Sequence, residues 1–248
     1  MLKKAALKML NYLGYEVSKR GVPPTTGLES SFLEIYQKCK PYTMTTLERM
    51  YATYKATEYV VLNQIAGDFV ECGVWRGGSC MMIAYTLQFL GETNRKIWLY
   101  DTFEGMPVPS EKDKNFRNQL AKFQWAKSQR QGHNDWCYAS LEEVEKNLRQ
   151  TNYPFHLFKL VKGKVEDTIP QITPDQIALL RLDTDWYEST YHEMKYLYPL
   201  VSHKGVLMVD DYGHWEGAKQ AIDQYFAENQ AFPFLHRIDY TGRVAIKC

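Results

Sequence analysis

Short apolar runs recur along this chain, and several of them end in an acidic or glycine-bearing turn. They lie at residues 68–72, 97–100, 155–161, 177–182 and 206–209. Their length and aliphatic content suit strands buried on both faces. Between and after them, residues 79–90, 141–149, 188–200 and 216–228 carry apolar positions at helical spacing. Strands alternating with helices predict an α/β fold with a mostly parallel sheet and helices on both faces. Residues 235–240 and 243–247, joined at Thr241-Gly242, read as a closing antiparallel hairpin. Upstream, residues 28–40 read as helical up to Pro41, and Thr45-Thr46-Leu47-Glu48 opens a helix over 47–65. The pattern divides the chain into a helical N-terminal extension, 1–40, and a main domain, 41–248. Segment 104–139 is polar and long for a connection. Such segments are usually functional lids; the other reading is a surface insertion with one helix at 114–128.

Composition narrows the classes. The chain has 248 residues, 45% of them apolar, which suffices for a sizeable core. Net charge is +1, so no strongly charged partner is implied. Lys and Arg alternate with aromatics over 112–130, but acids and amides interrupt them, which argues against single-stranded nucleic acid. Five cysteines form no CxxC pair, and reduced thiols in the cytoplasm are the simplest reading. No stretch approaches the roughly 20 apolar residues that span a bilayer. Residues 1–20 carry Lys3, Lys4, Lys8, Lys19 and Arg20 against Glu16, with Leu2, Ala5, Met9, Leu10 and Leu13 on one helical face. A membrane-surface helix, making the protein membrane-peripheral, is one reading. An arm packed on this protein or on a second subunit of a homo-oligomer is preferred, because any packed helix is amphipathic. Gly21 to Gly27 breaks this helix, and no continuous apolar region marks a signal peptide.

The chemistry concentrates at strand ends. Asp183-Thr184-Asp185 follows the run 177–182, and Asp210-Asp211 follows 206–209. Ligands of open α/β sheets bind beyond the carboxyl ends of the strands. Carboxylates gathered there are costly unless a cation offsets them, so the pattern points to a divalent metal with hard oxygen ligands. The first strand turns at Glu71-Cys72-Gly73-Val74-Trp75-Arg76-Gly77-Gly78-Ser79. This is neither GxGxxG nor a P-loop, and its acid would repel a pyrophosphate. It suits a ligand with positive charge and hydroxyls, which S-adenosylmethionine has. Asp101 ends the second strand, where an acid accepts hydrogen bonds from ribose; an N-cap is its bland role.

Six ordered motifs carry a family resemblance. Pro41-Tyr42-Thr43-Met44-Thr45, the turn 69–79, Tyr100-Asp101-Thr102-Phe103-Glu104-Gly105-Met106-Pro107, Ser140-Leu141-Glu142-Glu143-Val144, the segment 180–190 and Val209-Asp210-Asp211-Tyr212 resemble the macrocin O-methyltransferase (TylF-type) family over residues 40–247. The resemblance implies a Rossmann-like class I methyltransferase fold. It implies transfer of a methyl group from S-adenosylmethionine to a hydroxyl of a sugar, in a glycan or glycosylated natural product, with Mg²⁺ or another divalent cation. Thr43 and Met44 would lie over the cofactor, Glu71 and Gly73 at its methionine end and Asp101 at its ribose. Ser140 and Asp167 would lie near the adenine. Cys72, Trp75, Gly78, Ser79, Thr102, Phe103, Asp183 and Thr184 would complete the cofactor site. Asp183, Asp210 and Asp211 would ligate the metal, and Asp185 is read as a cap for the helix at 188–200. Catechol-acting relatives have a lysine base three residues past the first metal aspartate, where this chain has Trp186. The base is therefore sought at His133, with His214 second and Asp183 itself third. Trp186, Tyr187, Tyr212 and Trp215 near the metal would suit a sugar face, or ordinary packing. A rival from another class is a metal-dependent glycosyltransferase using Asp183-Thr184-Asp185 as a D-x-D motif, though it leaves Glu71-Cys72-Gly73 and Asp210-Asp211 unexplained. A non-catalytic scaffold is a third reading, opposed by the intact acids.

Overall fold

A computed structural model describes residues 25–248; the amphipathic helix expected over 1–20 lies outside them. The chain forms two units, Met1–Leu33 and Glu34–Cys248, divided within helix α1 (Ser30–Cys39). Of the first unit, residues 25–33 are described: a turn at 25–27 and the start of α1.

In the second unit, a 3-10 turn at Lys40–Tyr42 leads to α2 (Leu47–Leu62). Thr46 caps α2, its hydroxyl accepting the Arg49 N–H at 3.2 Å. Then come β1 (Asp68–Cys72), α3 (Gly78–Phe89), β2 (Ile97–Asp101), α4 (Lys122–Ser128), α5 (Leu141–Arg149), β3 (Phe158–Lys162), α6 (Val165–Thr168), β4 (Ile177–Leu182), α7 (Tyr187–Tyr196), β5 (Val201–Val209), α8 (Glu216–Glu228), β6 (His236–Arg237) and β7 (Arg243–Ile246). The seven strands order as β3-β2-β1-β4-β5-β7-β6. All neighbours up to β5 are parallel, and β5-β7-β6 is antiparallel. The chain winds outward from β1 to β3, then returns to β4 on the other side of β1. That reversal leaves a crevice where the carboxyl ends of β1 and β4 meet.

The apolar runs became the central strands because both faces are covered. Val70, Leu180, Leu182, Leu207 and Val209 pack with Met194 of α7, with Leu197 just after it, and with Ile222 and Phe226 of α8. Each such side chain contributes about 1.5–3 kcal/mol on burial. Helix α3 is apolar around most of its circumference, with Cys80, Met81, Met82, Ile83, Ala84 and Leu87 buried.

Several boundaries differ from expectation for local reasons. Strand β5 begins at Val201 rather than 206, because exposed His203 and Lys204 hide its first half. The helix expected to reach 200 ends at Tyr196, and Pro199 lies in a 3-10 turn at Tyr198–Leu200. The helix expected at 114–128 is confined to Lys122–Ser128.

Segment 104–139 is folded against the domain. Asp113 is fully buried; its Oδ1 accepts the Tyr187 N–H at 2.8 Å, and its Oδ2 accepts from Ser110 N and Oγ at 2.6 and 2.8 Å. Trp186 Nε1 donates to the Pro107 carbonyl at 3.0 Å. The segment thus forms a wall, pinned to the start of α7. Among the described residues no helix is long and apolar enough to cross a membrane.

Candidate active site

A cavity of about 450 Å³ opens at the carboxyl ends of the central strands. Thr43, Met44, Glu71, Gly73, Trp75, Gly78, Ser79, Asp101, Thr102, Asp183 and Thr184 line it, so these expected cofactor residues come together. Gly73 has φ +80°, and a Cβ there would fall inside contact with the Asp183 carbonyl oxygen. Only glycine lets the turn after β1 lie against the turn after β4. Asp101 does more than the cap role allowed. Its Oδ2 accepts N–H bonds from Val74 (2.7 Å) and Trp75 (3.3 Å), and its Oδ1 accepts from Phe103 (2.7 Å). One carboxylate therefore knits the turns after β1 and β2. Burial pushes its pKa up, and those donors oppose the shift.

The acids divide in a way the linear pattern did not reveal. Arg181, next to the last residue of buried β4, is 1% exposed. Its Nη1 donates to Glu71 Oε1 at 2.5 Å and to Asp183 Oδ2 at 2.6 Å, and its Nη2 donates to Asp210 Oδ1. Arg49 of α2 donates Nη1 to Asp210 Oδ2 and Nε to Asp239 Oδ2 at 3.0 Å. Both oxygens of Asp210, which was expected to ligate the metal, are thus taken by guanidinium groups in this structure, although Asp210 lines the cavity. Glu71 also accepts from the Cys80 thiol at 2.7 Å, and burial raises its pKa to about 7 against the pull of Arg181.

The acids that converge are Asp183, Asp185 and Asp211, with one carboxylate oxygen from each lying within 4.8 Å of the others. Asp185 has φ +67°, which turns its side chain back into the cluster. It does not cap α7: the N-cap is Trp186 without a side-chain bond, and the Tyr187 N–H is taken by Asp113. Burial pushes Asp185 up to about 7. Asp211 is raised well above the ordinary range, first by burial and then by the charges of Asp185 and Asp183. Asp211 Oδ2 is buried with no hydrogen-bond partner among the described residues. A raised carboxyl makes the folded state bind more protons than the unfolded one. The stability it gives is present below pH 3.8 and lost as pH rises through about 7. Chelator-treated protein should therefore melt at lower temperature as pH rises through neutrality, and Asp185→Asn should flatten that slope. An equal slope in both proteins would rule the cluster out as its source.

Other expected residues lie elsewhere. His133 does not line the cavity; its Nε2 is 3.0 Å from Asp135 Oδ1 and its ring packs on Tyr138. Ser140 is the N-cap of α5, accepting the Glu143 N–H at 3.2 Å, and neither it nor Asp167 faces the cavity. Cys72 and Phe103, expected to complete the cofactor site, are buried and do not line the cavity. His214 does line it, with Nδ1 3.0 Å from Tyr240 Oη, and burial together with Arg49 lowers its pKa. Sequence reasoning missed Arg49, Arg181 and Asp239. The guanidinium inside the apolar run 177–182 was the visible sign for one of them.

Met106, Asn115, Gln124, Trp136, Trp215 and Tyr240 also line the cavity. Trp136 is partly exposed, held edge-on by Trp186 and tilted against Trp215 at centroid distances of 5.5 and 5.9 Å.

Comparison with known proteins agrees with this architecture. The family profile described as macrocin O-methyltransferase (TylF) matches residues 37–246. Demethyldecarbamoylnovobiocin O-methyltransferase of Streptomyces niveus is 33% identical over 201 residues, covering 81% of this chain and 74% of its own. A Streptomyces olivaceus protein, 8-demethyl-8-(2,3-dimethoxy-alpha-L-rhamnosyl)-tetracenomycin-C 4'-O-methyltransferase, is 30% identical with the same coverage, 81% and 74%. The solved structure of the O-methyltransferase NovP superposes with a TM-score of 0.74 at 32% identity, over 83% of this chain and 82% of that one. With the Glu71–Gly73 turn and Asp101 set around one cavity, the chain belongs to the macrocin O-methyltransferase (TylF) family and is an S-adenosylmethionine-dependent O-methyltransferase.

Proposed function

We propose that the enzyme methylates a hydroxyl of a sugar carried on a small molecule, with a divalent cation held by Asp183, Asp185 and Asp211. The observation that carries this reading is the three-carboxylate cluster, with its unpartnered Asp211 oxygen, beside the cofactor turns. These are hard oxygen donors with excess negative charge, the donor set that fits Mg²⁺ or a similar ion. Such an ion, when bound, lowers the pKa of a coordinated hydroxyl and orients it. The residues of the chain supply the rest. Glu71, Gly73 and Asp101 line the donor half, and holding donor and acceptor together supplies a large share of the rate. In the tautomer whose Nδ1–H donates to Tyr240 Oη, 3.0 Å away, His214 Nε2 is left to accept the hydroxyl proton. Its lowered pKa keeps it neutral and able to do so near pH 7. Trp136 offers a partly exposed aromatic face, and Asn115 and Gln124 offer amides to hydroxyls. One relative is named for a rhamnosyl tetracenomycin, which supports a sugar acceptor.

The D-x-D glycosyltransferase reading loses ground, because Asp183 and Asp185 belong with Asp211 at the edge of a methyltransferase sheet. Calorimetry should show binding of S-adenosylhomocysteine and none of a nucleoside diphosphate sugar. Mass spectrometry of a panel of glycosides with S-adenosylmethionine should show a methylated product that disappears with EDTA. Methylation unaffected by EDTA would remove the cation, and methylation only of non-sugar phenols would remove the sugar.

A further inference from the structure

The most unusual residue in the sheet is Arg181. It lies in β4 amid Ile177, Ala178, Leu179, Leu180 and Leu182, all of them buried. A buried charge costs several kcal/mol unless well paired, and an apolar side chain at such a place is often the more stable choice. The pairing Arg181 makes is specific. Its Cα is in register with Glu71 of β1 and with Met208 of β5. From there its fork reaches three carboxylates, one at the end of each of three adjacent strands: Glu71, Asp183 and Asp210. A single nitrogen, Nη1, serves both Glu71 in the donor half and Asp183 in the cation cluster. Nη2 holds Asp210 out of that cluster, and Arg49 holds its other oxygen.

We propose that Arg181 is the positioning residue that registers the methyl-donor site against the cation site, by fixing the Glu71 and Asp183 carboxylates to one guanidinium nitrogen. The proposal rests on the donor and cation assignments of the proposed function. A planar fork is needed because three acceptors converge from different strands. An ammonium in its place is a point charge that cannot hold them in one geometry. Loss of the fork therefore loosens both halves at once, even though Arg181 lines neither.

The test measures two affinities separately by calorimetry, S-adenosylhomocysteine and Mn²⁺, on wild type, Arg181→Lys and Arg181→Met, with thermal melts alongside. Arg181→Lys keeps the charge and so retains the fold. Both dissociation constants should rise about tenfold or more, a change of about 1.4 kcal/mol each. Arg181→Met should lose more if it folds, and where it does not fold, Arg181→Lys decides. A residue that only braces the sheet lowers the melting temperature and leaves both constants unchanged in the folded protein; that result overturns the proposal. So does the loss of only one affinity. Wild type that binds S-adenosylhomocysteine but no Mn²⁺ overturns the cation assignment and with it the two-ended role. Wild type that binds neither ligand overturns the functional reading itself.

Discussion

Asp211→Asn should lower turnover by about a thousandfold while leaving S-adenosylhomocysteine affinity within about threefold. The first figure follows from electrostatics. A bound cation contributes several kcal/mol of charge stabilisation, and about 4 kcal/mol is a factor of about a thousand. Asparagine keeps the shape of the side chain and removes its charge. Its buried Oδ2 has no partner to lose among the described residues. The second figure follows from position. The hydrogen bonds that order Glu71 and Asp101 come from Arg181, Cys80 and the backbone of Val74, Trp75 and Phe103, none of which involves Asp211. The melting temperature of the metal-free variant should rise, because one of three crowded carboxyl groups, whose ionisation burial opposes, is gone. Product formation by mass spectrometry and calorimetric titration check the two figures. Turnover within tenfold of wild type would end the assignment of Asp211 to the cation.

Asp210→Ala, one residue away, should fail in the opposite manner. Asp210 is 6% exposed and its two oxygens answer Arg181 and Arg49. Removing one partner of a buried ion pair leaves uncompensated charge and costs about 3–5 kcal/mol. For a protein of this size that lowers the melting temperature by about 10 °C. The loss should be the same with and without EDTA, since the lost partners are arginines. A metal ligand would show the reverse: a stable fold in EDTA and a deficit only when the ion is present. An unchanged melt would mean that the double arginine clamp does not form in solution.

The contrast between these neighbours shows where the linear pattern stops being informative. Strands β1, β2 and β4 were legible because burial on both faces leaves an unbroken apolar run, and acids at their ends mark the crevice. The adjacent pair Asp210-Asp211 carries no sign of which member faces what. That is decided by Arg49, which lies 161 residues away in sequence and arrives through the packing of α2. Asp185 was read as a cap for the helix that follows, and the left-handed backbone at Asp185, which the residue pattern does not announce, turns it to the cluster instead. His133 was placed by a loose motif match in a segment whose path is set by distant pins such as Asp113 and Trp186. Ser140 was expected near the adenine, whereas a serine three residues before a glutamate is equally the signature of a helix start, and its hydroxyl caps α5 here.

The pinned segment 104–139 has a consequence for how such an enzyme is retargeted. Met106, Asn115, Gln124 and Trp136, which line the cavity, all come from it, whereas Glu71, Asp101, Asp183, Asp185 and Asp211 come from the carboxyl ends of the strands. On the proposed reading, part of the acceptor wall is therefore written in a stretch of chain separate from the carboxylates, with His214, Trp215 and Tyr240 supplying the rest. A transplanted segment could bring a new acceptor preference to the same catalytic edge, provided it brought its own Asp113. Without that buried carboxylate to seize the first amide of α7, the graft would have no anchor, and the loop would hang over the site instead of shaping it.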